Sequence, residues 1–427
     1  MSKKKNVVKA PHEMTHRQLS HHKRQIRRQR IFFFGGIAII VAIIGIIVGG
    51  WVAGEYLPLH TIVIEVFDTK FDTAFYIDAM VILAKLQGTT SMSELSGATV
   101  NQITSAELLI QEAGKLGYVV SDEEARQFWQ NAGINIEINN AAILFAKAQL
   151  VSNKLKDEYF SAQVPQTGVQ FHTMAMMVES ETVAKSLRER ILNGENFTML
   201  ADEYAADVAS SDIHGDYGWH TIDVFKLNFY STIPVDYISR ADAEAGDVSQ
   251  PLTDNVSSKK LGYWLIRVNE RPDQDTANIS AIYLGNEEEA LDIRARLEAG
   301  EELGPIADNL SQYSTSQQNH GELGLMSVTE NITDAFNGYA FNPSSEIGKW
   351  SQPLRDDSFY TKGGFWLVKI AEKDENRALT DEDRNALVVK LQADWSSKIW
   401  SESSPLFINH LTEDLTQFAI DRVSKQL

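Results

Sequence analysis

Ser249-Gln250-Pro251-Leu252, followed by Gly262-Tyr263-Trp264, returns downstream as Ser351-Gln352-Pro353-Leu354 and Gly364-Phe365-Trp366, both at an offset of 102. Upstream, Asn193-Gly194-Glu195 matches Ala299-Gly300-Glu301, Ala201-Asp202 matches Ala307-Asp308, and Gly215-Asp216-Tyr217-Gly218 matches Gly321-Glu322-Leu323-Gly324, all at an offset of 106. A register that holds on either side of a single four-residue change marks two copies of one domain that differ in the length of one loop. Each copy reads as a strand (169–178; 279–284), a helix (181–192; 287–297), a Gly-Glu step into a second helix, a Gly-x-x-Gly turn and an apolar closing strand. That order specifies an α+β domain with a mainly antiparallel sheet, and the copies are expected at 166–272 and 273–377.

Working outward, residues 55–165 read as a mainly helical module. Thr61-Ile62-Val63-Ile64-Glu65-Val66-Phe67 has the β-branched content of a strand, 72–86 is an amphipathic helix, and 87–96 is a polar loop. Helix starts are expected at Thr104, with Glu107 three residues on, and at Ser121, with Glu124 three residues on. Leu108, Leu109, Ala113 and Leu116 form a stripe that ends at Gly117, a natural C-cap. Residues 378–427 are expected as C-terminal helices packing on this module, through the stripes Leu387, Val388, Leu391, Trp395 and Leu411, Leu415, Phe418, Ala419.

At the other end, residues 31–54 contain no charged side chain, enough at ~1.5 Å per residue to cross the ~30 Å hydrocarbon core of a bilayer. Residues 1–30 hold ten Lys/Arg and the single acid Glu13. By the positive-inside rule this basic tail stays cytoplasmic, and the rest of the chain follows a single-pass signal-anchor out of the cell membrane's inner face. The tail nets +9 against −19 for the whole chain, leaving −28 on the remainder. Such a body lacks the basic footprint that nucleic acid requires. With no cysteine, the exported part has no disulfide, thiol nucleophile or lipid-modified cysteine.

The repeated motifs resemble the parvulin (PpiC-type peptidyl-prolyl isomerase) family. Its Gly-Glu-x-Phe, Leu-Ala, Gly-Gly-Asp-Leu-Gly, Ser-x-Pro-Val and Gly-Tyr-His elements are matched by Gly194-Glu195-Asn196-Phe197, Leu200-Ala201, His214-Gly215-Asp216-Tyr217-Gly218, Ser249-Gln250-Pro251-Leu252 and Gly262-Tyr263-Trp264. The second copy repeats most of them, with His320-Gly321-Glu322-Leu323-Gly324 as its turn. With helical segments flanking two copies, the chain is similar to the SurA, PrsA and PpiD group of extracytoplasmic chaperones.

The resemblance implies rotation about X-Pro bonds, whose barrier is ~18–20 kcal/mol. It also implies an apolar proline pocket with two histidines and a Cys or Asp that favour the twisted amide. Here the histidine positions hold Ala175 and Trp264 in the first copy, and Ala281 and Trp366 in the second. The acidic position falls at Asp207 and Tyr313. Asp207 is therefore the candidate catalytic residue, its alternative being an exposed loop acid after a helix. Phe336, Phe341, Tyr313, Trp264 and Trp366 are the candidate peptide-binding residues, with a plain core role as the alternative for the phenylalanines and tryptophans. His172 reads as a strand histidine, and His214 and His320 as loop residues without metal-ligand spacing.

Three readings follow. The first is a membrane-anchored extracytoplasmic folding factor that binds unfolded or newly exported polypeptides through weak or inactive isomerase domains. The second is an active peptidyl-prolyl cis-trans isomerase working through the first copy. The third is a structural subunit beside the export machinery. None requires a cofactor or metal.

Overall fold

The computed structural model describes residues 16–88, 91–134, 136–403 and 407–427; the first half of the basic tail, 1–15, lies outside them. Eleven strands occur among the described residues: β1 (Ile62–Val66), β2 (Thr69–Asp72), β3 (Thr167–Val178), β4 (Asp216–His220), β5 (Leu252–Lys259), β6 (Gly262–Glu270), β7 (Thr276–Leu284), β8 (Glu322–Ser327), β9 (Leu354–Asp356), β10 (Thr361–Ala378) and β11 (Phe407–Asn409). The chain is α+β and divides into two compact units, 1–159 with 392–427, and 160–391.

The first unit begins with the helix His16–Trp51. The segment Gly35–Leu59 is long and apolar enough to cross a membrane, and none of it is buried against protein. Beyond it, β11-β1-β2 form a small sheet. The helices Thr73–Gln87, Met92–Lys115, Asp122–Ala132, Asn140–Lys154 and Glu413–Val423 complete the unit. Its core gathers Tyr76, Met80, Leu95, Ile103, Trp129 and Ala142 with Ala419 and Val423 of the last helix. Helix starts are capped as their sequences dictate: Asp72 accepts from Phe75 N–H at 2.9 Å, and Ser121 and Glu124 close a reciprocal capping box.

One expectation fails in this unit. Thr104 does not begin a helix, because Met92–Lys115 runs unbroken through it and takes in part of the expected polar loop. The buried Thr104 hydroxyl bonds back to the Val100 carbonyl at 2.8 Å, an option open to threonine inside a helix. Glu107 caps nothing; its carboxylate accepts from Thr69 Oγ1 and Gln111 Nε2 at 2.7 and 2.6 Å.

The second unit contains two four-stranded sheets, ordered β4-β3-β10-β5 and β8-β7-β6-β9. Their membership departs from the expected division at 272/273. β10, the closing strand of the second copy, pairs with β3 and β5 of the first, while β6, the closing strand of the first, pairs with β7 and β9 of the second. The copies have exchanged closing strands. We call the β3-containing assembly lobe 1 and the β7-containing assembly lobe 2.

The physical setting of the exchange is a short connection. β6 turns through 271–275 straight into an antiparallel pairing with β7, the simplest continuation for two apolar strands joined by a five-residue loop. Each exchanged strand is covered on both faces over its central stretch, 262–268 in β6 and 364–370 in β10, which is why those stretches are mostly apolar. In β10, Trp366, Val368 and Ile370 face one core and Leu367 the other. In β6, Trp264, Ile266 and Val268 face one core, and Tyr263 and Leu265 the other.

The repeated Ser-Gln-Pro-Leu motif holds the guest strand. Ser249 N–H donates to Val368 C=O at 2.8 Å and Ser249 Oγ accepts from Val368 N–H at 3.0 Å. Ser351 makes the same pair of bonds, at the same lengths, with Ile266. Where the strands cross between lobes, Lys259 Nζ donates to Gly363 C=O and Thr361 Oγ1 donates to Leu261 C=O. The crossing also explains the glycine that opens each closing strand. A Cβ at Gly364 would stand 2.8 Å from the Val178 carbonyl oxygen, and one at Gly262 would overlap the Tyr283 ring.

Candidate functional site

Each lobe carries a buried carboxylate under its guest strand. In lobe 1, Asp254 Oδ2 accepts from Trp366 Nε1 at 3.1 Å and Ser231 Oγ at 2.6 Å, while its Oδ1 accepts from the backbone N–H groups of Val256 and Ser257. In lobe 2, Asp356 Oδ2 accepts from Trp264 Nε1 at 2.9 Å and from Thr333 Oγ1, and Oδ1 from Ser358 N–H. Burial pushes both carboxyl groups upward, but these donors outweigh it and hold both below the ordinary aspartate range. Ser231 and Thr333 also cap the helices Thr232–Ile238 and Asp334–Ala340. One arrangement of cap hydroxyl, aspartate and guest indole is thus built twice, its members repeating at the offset of 102.

Sequence reasoning missed Asp254, Asp356, Ser231 and Thr333, although all four keep that offset and were open to discovery by it. The equivalence of Ser231 with Thr333 also aligns the first-copy loop that holds Tyr230 with the second-copy loop that holds Ile332.

Trp264 and Trp366 were expected either to floor a peptide site or to belong to the core. Both are fully buried. Trp264 is ringed by Tyr283, Tyr313, Phe336 and Phe359, with centroids 4.7–6.3 Å away. Phe336 is also fully buried, and Phe341 packs half-buried against the same core. The expectation that Trp264, Trp366 and Phe336 touch a peptide directly is corrected by this burial, which leaves them no open surface; they support the wall above. Tyr313 reaches the open side of lobe 2. With Leu323, Met326, Ile332 and Phe359 it lines a cavity of about 480 Å³, rimmed by Thr315, Glu330 and Asn331.

Asp207 is buried, which rules out the exposed-loop alternative. It caps the short helix Val208–Asp212, accepting from Ser210 N–H at 2.8 Å and from Met177 N–H at 3.0 Å. Burial raises its carboxyl above the usual range, against the pull of these donors. Close to it stand Tyr217, whose hydroxyl is 3.4 Å from Ser210 Oγ, and Tyr230, whose hydroxyl approaches both Asp207 and Met177 Sδ. Tyr230 lies against Trp366, with centroids 5.6 Å apart, so Asp207 and Trp366 border one site.

The site positions of the two lobes correspond one to one. Asp207, Tyr217, Tyr230 and Ser257 of lobe 1 stand where lobe 2 has Tyr313, Leu323, Ile332 and Phe359. The same scaffold therefore offers hydroxyls and a carboxylate in one lobe and an apolar wall in the other.

The remaining histidines lie elsewhere. His172 bonds Asp216 at 2.9 Å and stacks on Trp219. His214 and His320 occupy equivalent left-handed turn positions, φ 55° in both, and bond Asp202 and Asp308. Asp202 raises the His214 imidazole above its usual range.

Residues 156–271, which hold β3 to β6, match the PPIC-type PPIASE domain family. The chain is similar in sequence to proteins named as chaperones and foldases. It is 30% identical over 97 residues to the chaperone SurA of Saccharophagus degradans, covering 23% of this chain and 20% of that one. It is 23% identical over 273 residues to the foldase protein PrsA of Clostridium tetani, covering 63% and 70%. The match thus spans about a fifth of the SurA relative. The crystal structure of PrsA from Bacillus cereus aligns over 86% of this chain at 10% identity with a TM-score of 0.31.

Proposed function

We propose that this protein is a membrane-anchored extracytoplasmic folding factor that binds unfolded or newly exported polypeptides, with lobe 2 as a binding site rather than an isomerising one. The observation that carries this reading is the pair of buried indoles, Trp264 and Trp366, latched to aspartates where the family's closing-strand histidine would stand. An indole donates one hydrogen bond and accepts none, and here that donor is committed. Lobe 2 keeps an open apolar cavity suited to a proline or another apolar side chain of an extended client. The helix through 31–54, with the basic segment before it, supports a single-pass anchor with a cytoplasmic N-terminus, and a tether where chains emerge raises effective client concentration without high affinity.

The test is aggregation of a chemically unfolded client diluted into buffer with the full chain held in nanodiscs. Suppression at near-stoichiometric ratios is expected; aggregation no slower than with empty nanodiscs would overturn the reading. The polar lining of lobe 1 favours a second activity there.

A further inference from the structure

We infer that the lobe 2 cavity selects an aromatic side chain flanked by lysine or arginine, with no need for proline, and that Glu330 is the residue that reads the positive flank. The inference rests on client binding in lobe 2, as proposed above, and names the class of segment that binds there.

The walls define the first requirement. Tyr313 and Phe359 stand with ring centroids 5.5 Å apart and planes inclined by 35°, and Leu323, Met326 and Ile332 complete the apolar lining. Two aromatic rings and a thioether are favourable partners for another aromatic ring, and a cavity of about 480 Å³ has room for one. Lobe 1 does not offer the same walls, because Tyr313 and Phe359 correspond there to Asp207 and Ser257.

The rim defines the second requirement. Glu330 is exposed at the mouth of the cavity, and its carboxylate has no ion-pair or hydrogen-bond partner among the described residues. Asp334, two residues beyond Ile332, and Asp357, two before Phe359, are likewise exposed and outside any ion pair among the described residues. Glu322, next to Leu323, is engaged, accepting from Ser280 Oγ at 2.8 Å. No lysine or arginine stands within two residues of any lining residue; the nearest along the chain, Lys362, follows Phe359 by three. An apolar floor with free carboxylates at its mouth attracts a cationic neighbour of the bound side chain and repels an anionic one. At the offset of 102, Glu330 corresponds to Asn228, so the charge belongs to lobe 2 alone. The acidic body draws basic segments in generally; Glu330 makes the preference local to the cavity.

The experiment measures binding of labelled, unstructured, proline-free peptides by fluorescence anisotropy, with the full chain in nanodiscs of zwitterionic lipid. Each peptide carries one phenylalanine flanked on both sides by lysine, glutamine or glutamate; a fourth has the lysine flanks with serine in place of phenylalanine. At low ionic strength the lysine-flanked peptide is expected to bind about threefold more tightly than the glutamine-flanked one, and the glutamate-flanked one about threefold more weakly, the scale of one exposed ion pair. The serine peptide is expected to bind at least tenfold more weakly than its phenylalanine counterpart. Glu330→Gln should remove the difference between lysine and glutamine flanks, and Glu330→Lys should reverse the order. Asp236→Asn, which removes an exposed carboxylate of lobe 1, should keep it.

Equal affinity for the three flanks, or for serine and phenylalanine, would overturn the inference and leave client binding in place. A lysine preference that survives Glu330→Gln would belong to the overall charge of the body and would overturn the role of Glu330. Failure of all the peptides to bind would count against lobe 2 as the binding site, and the inference would fall with it.

Discussion

The indole N–H of Trp264, in the closing strand of the first copy, donates at 2.9 Å to the carboxylate of Asp356 in the second. Its twin runs the other way, from Trp366 to Asp254. Each lobe is locked by a residue from the opposite half of the repeat, so neither copy owns a complete sheet.

Truncating either indole should therefore be felt in both lobes. Trp264→Ala is expected to cost about 3–5 kcal/mol, the usual range for a buried tryptophan. Trp264→Phe should cost less, about 1–3 kcal/mol, from leaving Asp356 short of one donor. Urea titration followed by circular dichroism and by the fluorescence of the remaining tryptophans should give coincident curves for residues 160–391. Separate transitions for the two lobes would contradict the shared construction.

A division at the repeat boundary should fail. Residues 160–272 alone contain β3, β4 and β5 but no β10, and carry β6 without its partners. This fragment is expected to be unfolded or to self-associate through β6 in gel filtration. Mixed with 273–391, it should recover a compact complex of one copy of each. A stable, folded, monomeric 160–272 would show that β6 can close its own sheet.

Burial at the strand crossing lowers the Lys259 ammonium to about 8 from its ordinary 10.5, against the attraction of Glu179 and Glu289. Between those two values the unfolded chain binds more protons at this position than the folded one, so the group's contribution to stability rises with pH across roughly 8 to 10. The gain is on the order of 1–2 kcal/mol at the top of that window. Subtracting the profile of Lys259→Met from that of wild type should isolate the slope. Above pH 10 the buried Tyr263, raised by burial and by Glu179, adds a slope of opposite sign. A flat difference between pH 8 and 9.5 would mean that Lys259 keeps an ordinary affinity for its proton.

In lobe 2, Leu323→Glu places a carboxylate on the apolar cavity wall beside Glu330. Client affinity, measured by anisotropy of a labelled unfolded polypeptide, is expected to fall about tenfold, or about 1.4 kcal/mol. An unchanged affinity would move client binding away from this cavity.

Much of this architecture is legible in the residues. The offsets of 106 and 102 define the copies, and the order of strands, helices and Gly turns follows from each. The partner of each closing strand is not legible. β6 shows the same apolar pattern whichever sheet receives it, and both copies offer the same Ser-Gln-Pro-Leu clamp, so the choice is made by the five-residue link 271–275 and the geometry of the crossing. For the same reason Trp264 and Trp366 read equally as floor or core until their indoles are seen bonded to Asp356 and Asp254. Asp207 could be singled out from its motif position, but its burial depends on the return of Met177 N–H from a distant strand, and Tyr230 belongs to a loop whose equivalence emerges only through Ser231 and Thr333. Thr104 misled because a hydroxyl followed by Glu is also compatible with a helix interior.

The exchange also sets a timetable. Ala175 in β3 waits for Val368 in β10, nearly the whole length of the second unit, before its sheet has a centre. A chain made from its N-terminus exposes β3, β4 and β5 early, yet lobe 1 cannot close until β10 has followed. Long-range pairings of this kind are slow to form and leave apolar edges open meanwhile. During its own synthesis this protein passes through the unfinished state that its relatives SurA and PrsA are named for attending, and a premature stop anywhere before β10 leaves lobe 1 unclosed.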